Sequence, residues 1–249
     1  MKVIFLGTNG WFDTHTGNTI CTLLQASGMD VILDAGNGLH RADDYAAGAA
    51  GRPVYLLLSH YHLDHVAGLH LLAKFSFAGG LTICIPGGTR PTLDILAASP
   101  FTLAMDRLPY PVRIVELPGD AALLPFPVQA KPLRHASLTM GYRILLDGKT
   151  VAYCPDTGYC ENAVDLARQA DVLIAECAYK TGQDDAEWPH LNPETAARIA
   201  IEGEAGQLVL THFDAQLYRS IAERRDSAVI AGRTFRNTIA ATDGLVLEL

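Results

Sequence analysis

The stretch His60-Tyr61-His62-Leu63-Asp64-His65 puts three imidazoles and one carboxylate into six residues. It follows an apolar run, Val54 to Leu58, that reads as a buried strand, and precedes a run from Val66 to Phe77 that reads as a helix. The four polar side chains therefore sit in the turn where a strand meets a helix. Residues two apart on an extended backbone point the same way, so His60 and His62 can share one metal ion. Asp64 and His65, at the entrance to the helix, can face a second. Imidazole nitrogen and carboxylate oxygen suit Zn²⁺, and also Mn²⁺ or Fe²⁺. The bland alternative is a polar surface turn that happens to contain histidines. The density of potential ligands is far above ordinary histidine usage and favours the metal site.

Outward from this turn, strands and helices alternate. Val3 to Gly7, Thr19 to Gln25 and Val31 to Asp34 read as short strands separated by turn-rich segments. The first loop carries Trp11 and Phe12, which either line a pocket or cap the core. A helix is expected from Gly38 to about Ala50. Leu81 to Ile85, Val112 to Leu117, Phe126 to Leu133, Gly141 to Ile144, Thr150 to Cys154, Asp171 to Ala175 and Gln207 to Thr211 read as further strands. The Pro-punctuated, apolar segment 100–111 reads as part of a pocket rim or as a dimer contact. Asn192-Pro193 is a helix entrance, with Asn192 as N-cap and proline at the first helical position. A last helix is expected to about Arg225, then a strand at Leu245 to Leu249. His15 and His40 read as structural or surface residues.

The totals narrow the class. A chain of 249 residues is long enough for one domain with a substantial core, and it shows no repeat, low-complexity tract or linker. No apolar run approaches the ~18 residues of a membrane helix. The start, Met1-Lys2-Val3-Ile4, reads as a strand and not as a signal peptide, so a cytoplasmic location is the expectation. Five cysteines without a C-x-x-C pair read mainly as small buried hydrophobes. The net charge of −8 disfavours broad binding to polyanions and suits small substrates.

H-x-H-x-D-H after an apolar strand resembles the metallo-β-lactamase superfamily of metal-dependent hydrolases, and further pieces follow in that family's order. Asp34 resembles the aspartate that precedes the metal motif and orients a liganding imidazole. On its own residues Asp34 is equally a turn residue before Gly36. His135, ahead of Gly141-Tyr142-Arg143, resembles the third motif. Asp156, in Pro155-Asp156-Thr157-Gly158, resembles the bridging aspartate, and His212 the last ligand. The resemblance implies an αββα sandwich as a single domain over residues 1–249, where composition alone gives only a mixed α/β class.

It also implies two divalent ions. His60, His62 and His135 would hold the first, Asp64, His65 and His212 the second, with Asp156 bridging and a metal-bridging hydroxide as nucleophile. Asp64, Glu176 and His190 are given catalytic roles, with His190 as leaving-group acid or oxyanion stabiliser oriented by Glu176. This part follows the ribonuclease Z branch, although His190-Leu191-Asn192 lacks the small hydroxyl residues expected there. True tRNA-processing members carry a long arm between the third histidine and the bridging aspartate. Here Asp156 follows His135 by only 21 residues, which argues against tRNA as partner. The expected activity is a phosphodiesterase acting on small phosphodiesters. A carboxylic ester or lactone hydrolase on the same metals, and a non-catalytic metal-binding sensor, are the alternatives. The family's habits leave a homodimer open.

Overall fold

The short apolar runs pair into two facing sheets. In the computed structural model, which describes residues 1–249, fifteen strands are numbered along the chain. The first sheet holds β1 (Lys2–Gly7), β3 (Cys21–Ala26), β4 (Met29–Leu33), β5 (Val54–Leu57), β6 (Leu81–Pro86), β7 (Val112–Leu117) and β15 (Val246–Glu248), in the order β15-β1-β3-β4-β5-β6-β7. The second holds β8 (Val128–Pro132), β9 (Met140–Leu146), β10 (Lys149–Cys154), β11 (Val172–Glu176), β12 (Leu208–Thr211) and β14 (Thr238–Ala240), in the order β14-β12-β11-β10-β9-β8. Two short strands, β2 (Asn9–Gly10) and β13 (Phe213–Asp214), pair in parallel between the halves.

The period of two in each strand builds the layers. Leu57 of β5 joins the core between the sheets, with Phe5, Tyr142, Tyr153 and Ile174. Val54 and Leu56 of the same strand face outward into a second core, under the segment 37–45, the segment 63–74 and α2 (Arg90–Leu96). A third core lies between the second sheet and α3 (Glu161–Ala167), α4 (Pro193–Glu202) and α5 (Ile221–Gly232). Strands covered on both faces read as near-continuous apolar runs, as β5, β6, β11 and β12 do. The result is the expected αββα sandwich.

Each sheet contains a parallel set, β4-β5-β6-β7 in the first and β10-β11-β12-β14 in the second. Asp34, His60, Asp156, Glu176 and His212 all stand at or just beyond the C-terminal ends of these strands. Such ends open into the crevice where α/β sheets place ligands.

Three expectations need correction. The helix read over 66–77 is a single α-helical turn, α1 (Leu63–Val66), followed by 3₁₀ helix over Ala67–Lys74. Backbone pairing with the neighbouring loop explains this: Ala35 N–H donates to His65 O at 2.8 Å and Gly68 N–H to Ala35 O at 2.7 Å. Those groups are then lost to an α-helical ladder. The helix read from 38 to about 50 is also 3₁₀, over Asn37–Tyr45, with a separate turn at Ala49–Gly51. The last helix runs past Arg225 to Gly232, entered through a Ser220–Glu223 capping box.

Arg224 on that helix is fully buried without a carboxylate in contact. Its guanidinium donates to Thr8 Oγ1 at 2.9 Å, to Thr16 Oγ1 at 2.6 Å and to Asn9 Oδ1. It thereby pins the loop that leads from β1 to Trp11. Arg224→Ala is expected to lower stability by about 3 kcal/mol, since charged hydrogen bonds are lost and a cavity is left. A urea titration of the purified variant reads this directly.

Candidate metal centre

The turn after β5 delivers its side chains to one point because the chain on both sides is tied down. His65 is packed under Asp34, which accepts from His65 Nδ1 at 2.8 Å, Tyr153 Oη at 2.6 Å and Ser59 Oγ at 2.8 Å through Oδ2, and from Ser59 N–H at 2.7 Å through Oδ1. Asp34 therefore orients the ring of His65 and leaves its Nε2 facing the cluster. Both readings of this residue meet here, because Asp34 also sits at φ +57° as a turn residue.

Six histidines and two aspartates converge. His62 Nδ1 lies 3.4 Å from His135 Nε2. Asp156 Oδ2 is 3.8 Å from His60 Nε2 and 3.7 Å from His135 Nε2. Its other oxygen, Oδ1, is 3.0 Å from His65 Nε2 and 3.1 Å from His212 Nε2. Asp64 Oδ2 is 3.2 Å from His212 Nε2 and 3.7 Å from His65 Nε2. His60, His62, His135 and Asp156 thus form one group, and Asp64, His65 and His212 another, with the two oxygens of Asp156 facing one group each. Asp156 and His212 also approach His190.

The donors fit divalent metal. His60 Nε2 is buried and makes no hydrogen bond. An orphaned buried polar atom is costly unless something binds it. Two ligands of one tetrahedral ion with bonds of about 2.0–2.2 Å stand about 3.3–3.6 Å apart, close to the spacings within each group. Burial, reinforced by the neighbouring rings, holds the pKa of His60 well below the ordinary imidazole value, and burial lowers those of His62 and His135 too. Neutral imidazole is the form a metal requires. At His65 and His212 burial is outweighed by Asp156 and Asp64, and both pKa values rise in the metal-free chain.

His190 stands beside the two groups on the loop before α4. The fold of that loop is local: Asn192 caps the helix by accepting from Thr195 N–H at 2.9 Å, and Pro193 fills the first turn. His190 Nδ1 donates to Glu176 Oε1 at 2.6 Å. Glu176 is buried at the end of β11 and is held by the N–H groups of Thr157 at 2.7 Å and Ala178 at 2.9 Å. Burial opposes charge on His190, but the Glu176 carboxylate outweighs it and raises the pKa to about 9.

A cavity of about 690 Å³ opens onto the site. His62, Asp64, Asp156, His190 and His212 line it, with Trp11, Leu63, Tyr179 and Trp188 around them. Gly10 is required on its floor, since a Cβ there would come within 2.6 Å of the His212 ring. The residues read from the sequence as ligand or catalyst are therefore gathered at one cleft, with His62, Asp64, Asp156, His190 and His212 on its surface and His60, His65, His135 and Glu176 behind them. No residue of the segment 100–111 lines it: Phe101 and Thr102 lie in a second, small groove with Leu69 and Leu96, which shares Leu63 with the cavity. Phe12 is exposed beside Trp11 and does not line the cavity. Trp188 is missed by the sequence reading, although a tryptophan two residues before His190, directly after the polar run Gln183 to Glu187, was a signal. Tyr153 and Ser59 were also missed, because their partner Asp34 lies far away in sequence.

Comparison with known proteins agrees with this geometry. A family model described as a beta-lactamase superfamily domain matches residues 30–213. The probable metallo-hydrolase YhfI of Bacillus subtilis is 29% identical over 218 residues, covering 86% of this chain and 87% of its own. Its crystal structure superposes with a TM-score of 0.82 at 25% identity, covering 100% of this chain and 98% of that one. A ribonuclease Z of Methanosarcina mazei is 25% identical over an alignment of 308 residues that covers 100% of this chain and 98% of the relative. A diphosphatase of the PhnP family shares the fold, with a TM-score of 0.73 at 17% identity over 100% of this chain and 97% of that one. The matched span holds all ten residues of the site, from Asp34 to His212, and the chain belongs to the beta-lactamase superfamily of metallo-hydrolases.

Proposed function

We propose that this metallo-hydrolase is a phosphodiesterase acting on small phosphodiesters. His60, His62, His135 and Asp156 would hold one divalent ion, and Asp64, His65, His212 and Asp156 a second. The donor set suits Zn²⁺, with Mn²⁺ and Fe²⁺ accepting the same atoms. Bound there, such ions supply a water of lowered pKa and positive charge toward the substrate oxygens.

The observation that carries the reading is the His190–Glu176 pair. An imidazole bound through Nδ1 to a buried carboxylate, beside the ligand groups, is arranged to carry a proton and suits an anionic substrate. With Nδ1 committed to Glu176, the other ring nitrogen is left to hydrogen-bond a phosphoryl oxygen or to protonate the leaving alkoxide. Glu176 fixes the tautomer and orientation of the ring and stabilises its charge, and the amides of Thr157 and Ala178 fix Glu176. Asp64, whose Oδ2 accepts the Trp11 N–H at 2.7 Å, holds the loop over the cleft as well as serving as a ligand. The relatives named ribonuclease Z support phosphodiester chemistry. Large RNA does not fit as well. The interval between His135 and Asp156 is filled by the β9–β10 hairpin. The ribonuclease Z alignment also runs to 308 positions against the 249 of this chain, so the relative carries residues absent here.

The test is metal content together with initial rates on bis(4-nitrophenyl) phosphate, an aryl carboxylic ester and a lactone. Two ions per chain and preferred phosphodiester turnover, lost in His62→Ala, are expected. Preferred ester or lactone turnover would keep the site and replace the substrate class. Metal should also stabilise the fold. At a hundredfold excess over Kd each site contributes about 2.7 kcal/mol, or about 5–10 °C in Tm for a domain of this size. Calorimetry before and after chelation measures it.

The pH profile offers a further check. His190 must be protonated to act, so turnover should fall on the alkaline side as that proton is lost. Glu176→Gln removes the main group that raises the His190 pKa, leaving Asp156 alone against the burial that lowers it. The alkaline limb should therefore move to lower pH. A limb that stays in place in the variant would remove His190 as the titrating acid.

A further inference from the structure

Both tryptophans of the chain, Trp11 and Trp188, line the cleft. They come from different loops and stand over different halves of the site. Trp188 lies parallel to the His62 ring, with 10° between planes and 5.5 Å between centroids, and edge-on to His135 at 5.6 Å. Trp11 is tied to Asp64 through its backbone N–H. Its φ is +74°, a conformation that a bulky residue keeps only where its surroundings impose it. The two rings are nonetheless 62% and 48% exposed. Aromatic surface left open at a cleft mouth contributes little to the core and much to stacking a planar ligand.

Charge narrows the ligand. No Lys or Arg lines the cavity, whereas Asp64, Asp156 and Asp214 do. Asp214 Oδ1 is fixed by the N–H groups of Gln216 at 2.7 Å and Leu217 at 3.0 Å, so its carboxylate stays at the rim. With Asp64 and Asp156 engaged by the two divalent ions of the proposed site, Asp214 is the carboxylate left at the rim, and a second anionic group directed toward it would meet repulsion that no lysine or arginine of the cavity lining offsets.

We infer that the cleft selects small phosphodiesters that carry a planar aromatic group, aryl or nucleobase, and a single negative charge, with the ring stacking on Trp188 or Trp11. This deepens the phosphodiesterase reading and rests on it. A phosphodiester lying across both ligand groups would direct one ester substituent toward each indole.

Because the chain has only these two tryptophans, the intrinsic tryptophan emission of the metal-loaded protein reports on this rim alone. The probes are diphenyl phosphate, 2′,3′-cyclic AMP with and without a 5′-phosphate, and dimethyl phosphate, which has the charge and no ring. Diphenyl phosphate or 2′,3′-cyclic AMP should change the emission saturably, while dimethyl phosphate should not. A response to the first alone assigns aryl groups, and to the second alone nucleobases. The 5′-phosphate should weaken binding about tenfold or more. Trp188→Ala or Trp11→Ala should weaken binding of the ring ligands about tenfold, and the matching Phe variants should retain it. No emission change with either ring ligand, affinity unchanged in both Ala variants, or binding not weakened by the 5′-phosphate would overturn the inference. Turnover of methyl 4-nitrophenyl phosphate tests the phosphodiesterase reading separately. If it is turned over without any stacking response, only the aromatic subsite fails. If stacking is intact without turnover, the phosphodiesterase reading fails.

Discussion

Asp156→Ala is expected to lower phosphodiester turnover by on the order of 10³-fold or more and to reduce the metal content of the purified protein. No other side chain faces both ligand groups. Its Oδ1 lies between His65 and His212, and its Oδ2 between His60 and His135. Without it, each group keeps three donors, but they lose their shared ligand and one of the two carboxylates whose negative charge favours two cations close together. In the native chain Asp156 is held ionised against burial by His212 and His65. Asp156→Asn refines the test, because it keeps the shape and removes the charge. Metal analysis and initial rates on both variants, with circular dichroism to confirm folding, measure the effect. Two ions retained together with more than a tenth of the turnover would contradict a bridging role.

The second large effect belongs to His190. Its replacement by Ala should reduce kcat by about 10²–10³-fold while metal content stays at the wild-type level, since the two ligand groups are complete without it. This combination separates His190 from every residue of the first prediction. The leaving group separates its two possible roles. A 4-nitrophenolate departs without a proton, so loss on that substrate reports charge stabilisation of the phosphoryl oxygens. A larger loss on an alkyl leaving group reports proton donation. An equal loss on both would assign His190 to the oxygens alone, and loss of metal along with activity would return it to the ligand set.

Much of this site was readable because its ligands are strand-end residues embedded in short, dense motifs. His60, His62, Asp64 and His65 share one turn, and an apolar strand before a polar turn is a local signal. Asp156 and Asp34 are each followed within two residues by a glycine, and each ends an apolar run in the same way. The capping box at Asn192 was visible in part, through Asn192 and Pro193, because capping is a matter of nearest neighbours. Helix type was not. The pattern over 66–77 is helical in period, yet Ala35 draws Gly68 out of an α-helical ladder, and that contact spans 33 residues of chain.

The rim shows the same division. The apolar segment 100–111 has the composition of a pocket wall but lines no part of the cleft, because its Phe101 and Thr102 face a second groove with Leu69 and Leu96. Trp188, in a polar loop, lies on His62. The sequence by itself determined the donor chemistry, the strand that presents it and the αββα expectation that follows from the resemblance, since each depends on residues close together or on their order. Only the tertiary structure decided which oxygen of Asp156 meets which imidazole, that the amides of Thr157 and Ala178 hold the Glu176 carboxylate, and that two exposed indoles frame the opening. Those relations are made by the packing of two sheets, whose strand ends bring together side chains from Asp34 to His212.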